Sequence, residues 1–461
     1  MTSAVWILVC SVSVAVLLSP AAAVCPYNVT SCTCTGRSLV CRNLDGLPTL
    51  VSDNKDGNIT DLTFISCTCT GRSLVCRNLD GLPTLVSDNK DGNITDLTFI
   101  SGKLNISSNS LPTNLQNLTF SDVSITSISP DAFNSSATTL KSFSMSKVKY
   151  PELPDALLQV TSLTQINLSD MNITNWKPQI LQTLGKTLRS VVFQNVSLTS
   201  WPEWLQDFTL VNSVDLSRNN LEAISVDAFS KVKNLTSLYL RSTDFYNETN
   251  VNIALHEVIN TLQILDISTN GFAFIPEVIS TMTKLAKLNL SDNLIQEISG
   301  NRIPLQLREL DLYRNINLQL IKDNSFPNSS SLEVLNLGAT RIYNISYLAF
   351  EPLEHLRELY LNFTDLFGIP LALTKLNNLQ VLKMEGIHSL VCPCPRDDRL
   401  VKWYQSYKTL QLTGNCIHDK FTIQRYLANS TTQSPCSGNS RAAVNVSFYL
   451  FVTLLMSIFL L

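Results

Sequence analysis

The side chains in this chain best able to do covalent chemistry are its twelve cysteines, and they crowd at the two ends. Cys10 lies in the apolar start. Cys25, Cys32, Cys34, Cys41, Cys67, Cys69 and Cys76 precede the body of the chain, and Cys392, Cys394, Cys416 and Cys436 follow it. In an exported chain such clusters read as disulfides. A zinc ion would need four ligands at tetrahedral reach, and these Cys-x-Cys pairs have no matching His pair, so no metal is expected. Catalysis has as little support. His256, His355, His388 and His418 are scattered, and no GxSxG, HExxH or P-loop pattern is present. Neither an enzyme nor a cofactor is expected.

The elements that position these groups begin with the ends. The start, "MTSAVWILVCSVSVAVLLSPAAAVCP", has an apolar run and then Ala21 and Ala23 at signal-peptidase spacing, so residues 1–23 read as a signal peptide. At the other end Ser437, Gly438 and Asn439, a polar spacer and an apolar run from Phe448 to Leu461 fit the pattern exchanged for a glycolipid anchor. Residues 437–461 are therefore expected to be a GPI-attachment signal, used at Ser437 or Gly438. That run is short for a spanning helix, which takes about 20 apolar residues. The 461 residues carry a formal net charge of -3 with both signs mixed. No electrostatic footprint for nucleic acid follows, and none is expected as a partner.

Between the ends the chain repeats itself. "VNSVDLSRNNL", "LAKLNLSDNLI" and "LRELDLYRNIN" belong to a series of twelve segments that start between residues 115 and 379 at spacings of 22 to 27, with "ITDLTFISGKL" one unit earlier. Alternate apolar residues point inward from a short strand, and an Asn at the ninth place can satisfy backbone groups inside the coil. Asn219, Asn270, Asn293 and Asn315 hold that place, whereas earlier units have Val123, Val148, Met171 and Val196 there. The N-terminal units are therefore expected to be laxer. Return segments take two forms: "ISPDAF", "ISVDAF" and "NISYLAF" supply a Phe, and "ELPDAL", "FIPEVI" and "GIPLAL" a Pro. No helix beyond about two turns is implied on that side.

The chain resembles the extracellular leucine-rich repeat proteins with cysteine-capped ends. Its "CPYNVTSCTCTGRSLVC" is similar to their N-terminal cap and "CPCPRDDRLVKWYQ" to the start of their C-terminal one. The layout is similar to the GPI-anchored Nogo receptor and the variable lymphocyte receptors. The resemblance implies an α/β solenoid: a leucine-rich repeat horseshoe with a concave parallel β-sheet, a mostly irregular or short-helical convex side, and disulfide caps. It implies a cap over 24–100, about twelve or thirteen repeats over 94–391, and a second cap over 392–436. It also implies the pairings Cys25 with Cys34, Cys32 with Cys41, Cys392 with Cys416, and Cys394 with Cys436.

Residues 31–65 recur letter for letter as 66–100. After removal of Cys10 eleven of the twelve cysteines remain, an odd number. Two working copies in different surroundings would drift, so the doubling reads as a recent in-frame duplication or a gene-model error. A free cysteine linking two chains is the alternative.

Seventeen Asn-x-Ser/Thr sequons favour a glycosylated surface. Among them are Asn28, Asn105, Asn117, Asn134, Asn167, Asn172, Asn195, Asn234, Asn247, Asn289, Asn328, Asn344 and Asn362. Asn167 and Asn289 fall on the outward side of a strand, where a glycan would obstruct docking. Outward strand positions change from small residues (Ser142, Ser144, Ser146) to Tyr239, Arg241, Asp266, Asp311, Tyr313, Arg314, Tyr360 and Phe363. Tyr and Arg are enriched at binding hot spots, although aromatics on adjacent strands also stack on one another.

The expected function is recognition or adhesion at the outer face of the plasma membrane, with a protein or glycan bound on the concave C-terminal half. A lipid anchor would leave signalling to a transmembrane co-receptor. A structural, self-associating surface or matrix protein is the alternative.

Overall fold

A computed structural model describes the strands between residues 31 and 80 and the chain from 94 to 428, apart from 222, 223, 226, 245, 246 and 418–420; of residues 31–70 and 80 only the backbone is described. The expected signal peptide, Cys10, Cys25, Asn28, His418, Cys436, Ser437, Gly438 and the anchor signal lie outside the described residues, as do the side chains of Cys32, Cys34, Cys41, Cys67 and Cys69.

Each repeat contributes one strand to a long sheet. The first strands are β1 (Ser31–Thr35), β2 (Ser38–Arg42), β3 (Asp61–Thr70), β4 (Ser73–Asp80), β5 (Asp96–Ile106) and β6 (Asn117–Ile128). Then come β7 (Ser142–Ser146), β8 (Gln165–Ser169), β9 (Ser190–Gln194), β10 (Ser213–Asp215), β11 (Ser237–Tyr239), β12 (Ile264–Asp266), β13 (Lys287–Asn289) and β14 (Glu309–Asp311). The two-residue strands β15 (Leu320–Ile321) and β17 (Asn344–Ile345) pair separately, on the return side. The main sheet continues through β16 (Val334–Asn336), β18 (Glu358–Tyr360), β19 (Val381–Lys383) and β20 (Gln411–Thr413). From β4 onward every pair is parallel, as successive turns of one coil must be, while β1–β2 and β3–β4 are antiparallel hairpins.

Burial follows the predicted alternation. Leu285, Leu288 and Leu290 are at most 2% exposed, and Lys287 and Asn289 between them are not buried. Each such Leu contributes about 1.5–3 kcal/mol when fully buried. The ninth-place asparagines act as expected. The Asn219 Oδ1 accepts from the backbone N–H of Val196 (3.0 Å) and Leu198 (3.2 Å), and its Nδ2 donates to the carbonyls of Phe193 (2.7 Å) and Leu216 (2.8 Å).

In the N-terminal repeats, which have no Asn ladder, β5 and β6 run 11 and 12 residues and β7 to β9 five each, against three in the Asn repeats. Packed rings fill the same core, with Phe99 and Phe120 stacked 5.3 Å apart and Phe133 and Phe143 tilted against each other at 5.7 Å.

On the convex side the Pro form of the return segment makes a 3-10 turn immediately after the ring. Asp155–Gln159 follows Pro154, Glu203–Asp207 follows Pro202, Glu277–Thr281 follows Pro276, and Leu371–Lys375 follows Pro370. The Phe form plugs the core with Phe133, Phe229 and Phe350. Helix α1 (Pro178–Leu184) is short, but α2 (Glu248–His256) has nine residues, about two and a half turns and slightly more than expected. It fills the longest repeat spacing, and Asn247 caps it by accepting from the N–H of Thr249 and Asn250.

The C-terminal segment closes the coil with α3 (Asp398–Ser406), β20 and α4 (Ile423–Leu427). Trp403 Nε1 and the Tyr407 hydroxyl both donate to the Leu376 carbonyl, at 2.8 and 2.6 Å. Cys392 and Cys416 form a disulfide with Cα atoms 5.7 Å apart, and Cys76 and Cys394 are also disulfide-bonded.

The doubled stretch folds twice in the same way. Cys32 faces Cys41 and Cys67 faces Cys76 across the two hairpins. Asp61–Ile65 pairs in parallel with β2 in the register that Asp96–Ile100 uses on β4. Strand β3 thus serves as a repeat strand in its first half and as a hairpin strand in its second.

Candidate functional site

Strand register fixes what the concave face presents. Asp215, Tyr239, Asp266, Asn289, Asp311, Asn336, Tyr360 and Lys383 are successive partners from β10 to β19 and form one row. Neighbours in such a row are about 4.8 Å apart. From Tyr239 to Tyr360 this row lines an open trough of about 550 Å³, flanked by Lys287 and Glu309, which pair at 2.8 Å.

The acids and amides of the row are held by their own turns. Oδ1 of Asp215, Asp266, Asn289, Asp311 and Asn336 each accepts from the backbone N–H two residues on, at 2.8 to 3.1 Å. Asn289 Nδ2 also donates to Asp266 Oδ2 at 2.9 Å. Partial burial pushes the Asp215 and Asp311 carboxyls above the usual range, against the lowering effect of those hydrogen bonds. At the far end the Tyr360 hydroxyl donates to Glu358 (2.7 Å), a bond that together with burial pushes its pKa up to about 12. The trough therefore offers a preset line of acceptors and amide donors between two phenols. Among the described residues no group of three His, Cys, Asp or Glu side chains could hold a metal ion, and His256, His355 and His388 are separately exposed.

Of the eight outward residues singled out from sequence, Tyr239, Asp266, Asp311 and Tyr360 line the trough. Arg241, Tyr313, Arg314 and Phe363 lie further along their repeats, outside it. Tyr313 and Tyr360 do not share a row: the places matching Tyr360 are Asn336 and Asp311, and Tyr313 is two residues past Asp311. Arg314 pairs with Asp292 at 3.2 Å. Phe363, with φ 59° and 55% exposed, lays its ring against Gly386, where a Cβ would come within 2.2 Å of the ring. Asn289, Asn336 and Lys287 were missed as lining residues. The fifth place of each repeat read as a column contains Asn289 and Asn336, and the third place contains Lys287.

Of the sequons, Asn105, Asn134, Asn172, Asn195, Asn234, Asn247, Asn328 and Asn344 are exposed. Asn117, Asn167, Asn289 and Asn362 are half-buried. Among the described residues no helix is long and apolar enough to cross a membrane.

A coil of parallel strands, buried leucines in alternation and an asparagine ladder define the leucine-rich repeat solenoid, and this chain is a leucine-rich repeat protein. The family described as "Leucine rich repeat" matches residues 306–366, and that described as "BspA type Leucine rich repeat region (6 copies)" matches 89–205 and 152–278. Human Toll-like receptor 8 is 28% identical over 176 residues, 33% of this chain and 16% of the receptor. Mouse Tsukushi is 30% identical over 139 residues, 27% of this chain and 38% of Tsukushi. The chain thus spans well under half the length of these relatives. Among solved structures, the Drosophila Toll–Spatzle complex (glycosylated form) aligns with TM-score 0.55 at 16% identity, covering 87% of this chain and 59% of that one. A leucine-rich repeat protein of Leptospira interrogans aligns with TM-score 0.51 at 18% identity, covering 72% and 93%. Both likenesses concern the fold.

Proposed function

We propose that this protein is a GPI-tethered, glycosylated recognition or adhesion protein at the outer face of the plasma membrane, binding a protein or glycan on its concave C-terminal half. The row from Tyr239 to Tyr360 carries the reading. It presents Tyr, Asp and Asn at fixed spacing in one open trough, with side chains already ordered by their own turns. Ordering before binding reduces the entropy that association costs. The names of the relatives, receptors among them, agree with recognition as the general role. The anchor rests on the small residues, spacer and apolar run of 437–461, and tethering in this way would leave signalling to a transmembrane co-receptor. The caps and their cysteine pairings complete the proposal.

A partner in the trough and a glycan on Asn289 exclude each other, because Asn289 stands in the middle of the row. We take Asn289 as bare and the exposed sequons as the glycosylated ones.

The purified full chain should behave as a monomer that binds a particular cell surface, and phosphatidylinositol-specific phospholipase should release it from the cells that make it. Self-association into dimers or sheets without cell binding would favour the structural alternative. Binding that survives protease and glycosidase treatment of the cells but is lost to nuclease would replace the protein or glycan partner with nucleic acid.

A further inference from the structure

The charge along the concave row selects the kind of partner the trough takes. Its lining carries Asp266, Glu309 and Asp311 against Lys287 alone. Lys287 is paired with Glu309, so Asp266 and Asp311 have no cation of their own, and Asp215 continues the same row two strands before Asp266. The cations around the trough are taken by other acids: Arg218 by Asp170, Arg314 by Asp292, and both Arg308 and Arg357 by Glu333. Arg241 and Lys383, with no ion pair among the described residues, lie outside the trough. Burial raises the Asp215 and Asp311 carboxyls, and the charge of Asp266 raises both further. The row's amides are turned on the same acids, since Asn289 donates to Asp266 at 2.9 Å and the Asn336 side chain is hydrogen-bonded to Asp311.

An ionised carboxylate only accepts and has about four lone-pair sites, so these acids keep capacity for donors arriving from outside. A neutral saccharide supplies donors without compensating the charge, and a polyanion is repelled by it. Guanidinium and ammonium groups donate only and carry the opposite charge. Spacing sets how many are needed. Asp215, Asp266 and Asp311 stand on alternate strands of the row, about 10 Å apart, which is too far for one guanidinium to bridge. Residues seven apart on one face of an α-helix are about 10.5 Å apart. We propose that the trough takes a basic segment of a protein partner, with cationic side chains about 10 Å apart set against these aspartates. This rests on the trough being the docking site, and it narrows the occupant from a protein or glycan to a cationic polypeptide.

The probe is an alanine-based helical peptide of about 18 residues with Arg at every seventh place, about 27 Å long. Its Kd for the full chain is measured beside that of the same peptide with Glu in place of Arg, and of a single-stranded oligonucleotide. The Arg peptide should bind and the two anionic probes should not. Raising the salt from about 50 mM to about 500 mM should weaken the Arg peptide at least about fivefold. Asp266→Asn with Asp311→Asn keeps the Oδ1 acceptors that the Ser268 and Tyr313 N–H groups use. This double variant should bind the Arg peptide at least about tenfold more weakly than the parent. No binding of the Arg peptide, binding indifferent to the double substitution, or a preference for either anionic probe would each overturn the proposal. Salt dependence needs no substitution, and its absence would overturn the proposal as well. Cell binding separates this inference from the reading it rests on. If Tyr239→Ala with Tyr360→Ala abolishes cell binding and the aspartate variant retains it, the trough stands as the site and its basic occupant is overturned. If neither pair of substitutions changes cell binding, the trough itself is not the site and the proposal falls with it.

Discussion

Asn293 is the place to test what holds adjacent repeats in register. Its Oδ1 accepts from the backbone N–H of Asn270 and Phe272, both at 3.0 Å, and its Nδ2 donates to the carbonyls of Ile267 (3.1 Å) and Leu290 (2.9 Å). In Asn293→Ala the Leu290 carbonyl keeps a partner, because Asn315 Nδ2 also reaches it at 3.0 Å. The substitution removes the hydrogen bonds to the Asn270 and Phe272 N–H groups and to the Ile267 carbonyl. At about 1–1.5 kcal/mol for each buried bond lost, it should cost about 3–4 kcal/mol. Repeats interact mainly with their neighbours, so the loss is local before it is global. Amide hydrogen exchange at Asn270 and Phe272 should therefore accelerate first, with a smaller effect at repeats far away. Asn293→Thr should fall between, because the natural Thr243, Thr340 and Thr364 each keep the bond to the carbonyl three residues back, at 2.9, 2.7 and 2.8 Å. Unchanged exchange at those two amides, with a stability loss under about 0.5 kcal/mol, would refute the ladder as the cause.

Deleting residues 66–100 should leave folding and secretion unimpaired, because Ile65 would then lead into Ser101 in the strand register the second copy already uses; a marked drop in secreted yield would count against a dispensable copy. Asp311→Asn keeps the acceptor for the Tyr313 N–H and removes a carboxyl that burial holds above its usual range. For such a group stability is fully present below the unfolded pKa and lost as pH rises through the folded one, so the variant should melt higher than the parent at about pH 7 and the gap should close near pH 4; a gap that widens on acidification would reverse the assignment. Glycopeptide mass spectrometry should find Asn289 bare and Asn234 occupied, and an occupied Asn289 would close the trough to a partner.

Much of the fold was legible because it is periodic and buried: inward leucines repeat with the strand, and Asn219, Asn270, Asn293 and Asn315 mark the turn that needs them. Other features follow from geometry that spacing does not carry. Arg218, Thr269, Asp292, Arg314, Ala339 and Phe363 all take left-handed φ, from 54° to 61°, at the same place in their repeats. Their side chains have little in common, so composition does not mark the place. The long N-terminal strands β5 and β6 are not marked by the repeat spacing, which is the same there as further along the chain. Tyr313 and Tyr360 look alike as outward aromatics in sequence, whereas strand register puts Asp311 in the row of Tyr360. Trp176 and Trp204, far apart along the chain, stack at 5.5 Å only because β8 and β9 are neighbours.

The central claim is that partners bind the concave trough between Tyr239 and Tyr360. The direct measurement is cell binding by the full chain carrying Tyr239→Ala and Tyr360→Ala, against a control with Ser142, Ser144 and Ser146 replaced by Ala on the same sheet. Hot-spot residues contribute about 2 kcal/mol each and not additively, so the double variant should bind at least about thirtyfold more weakly while the control binds as the parent does. Equal binding by both would contradict the claim and remove the trough as the site.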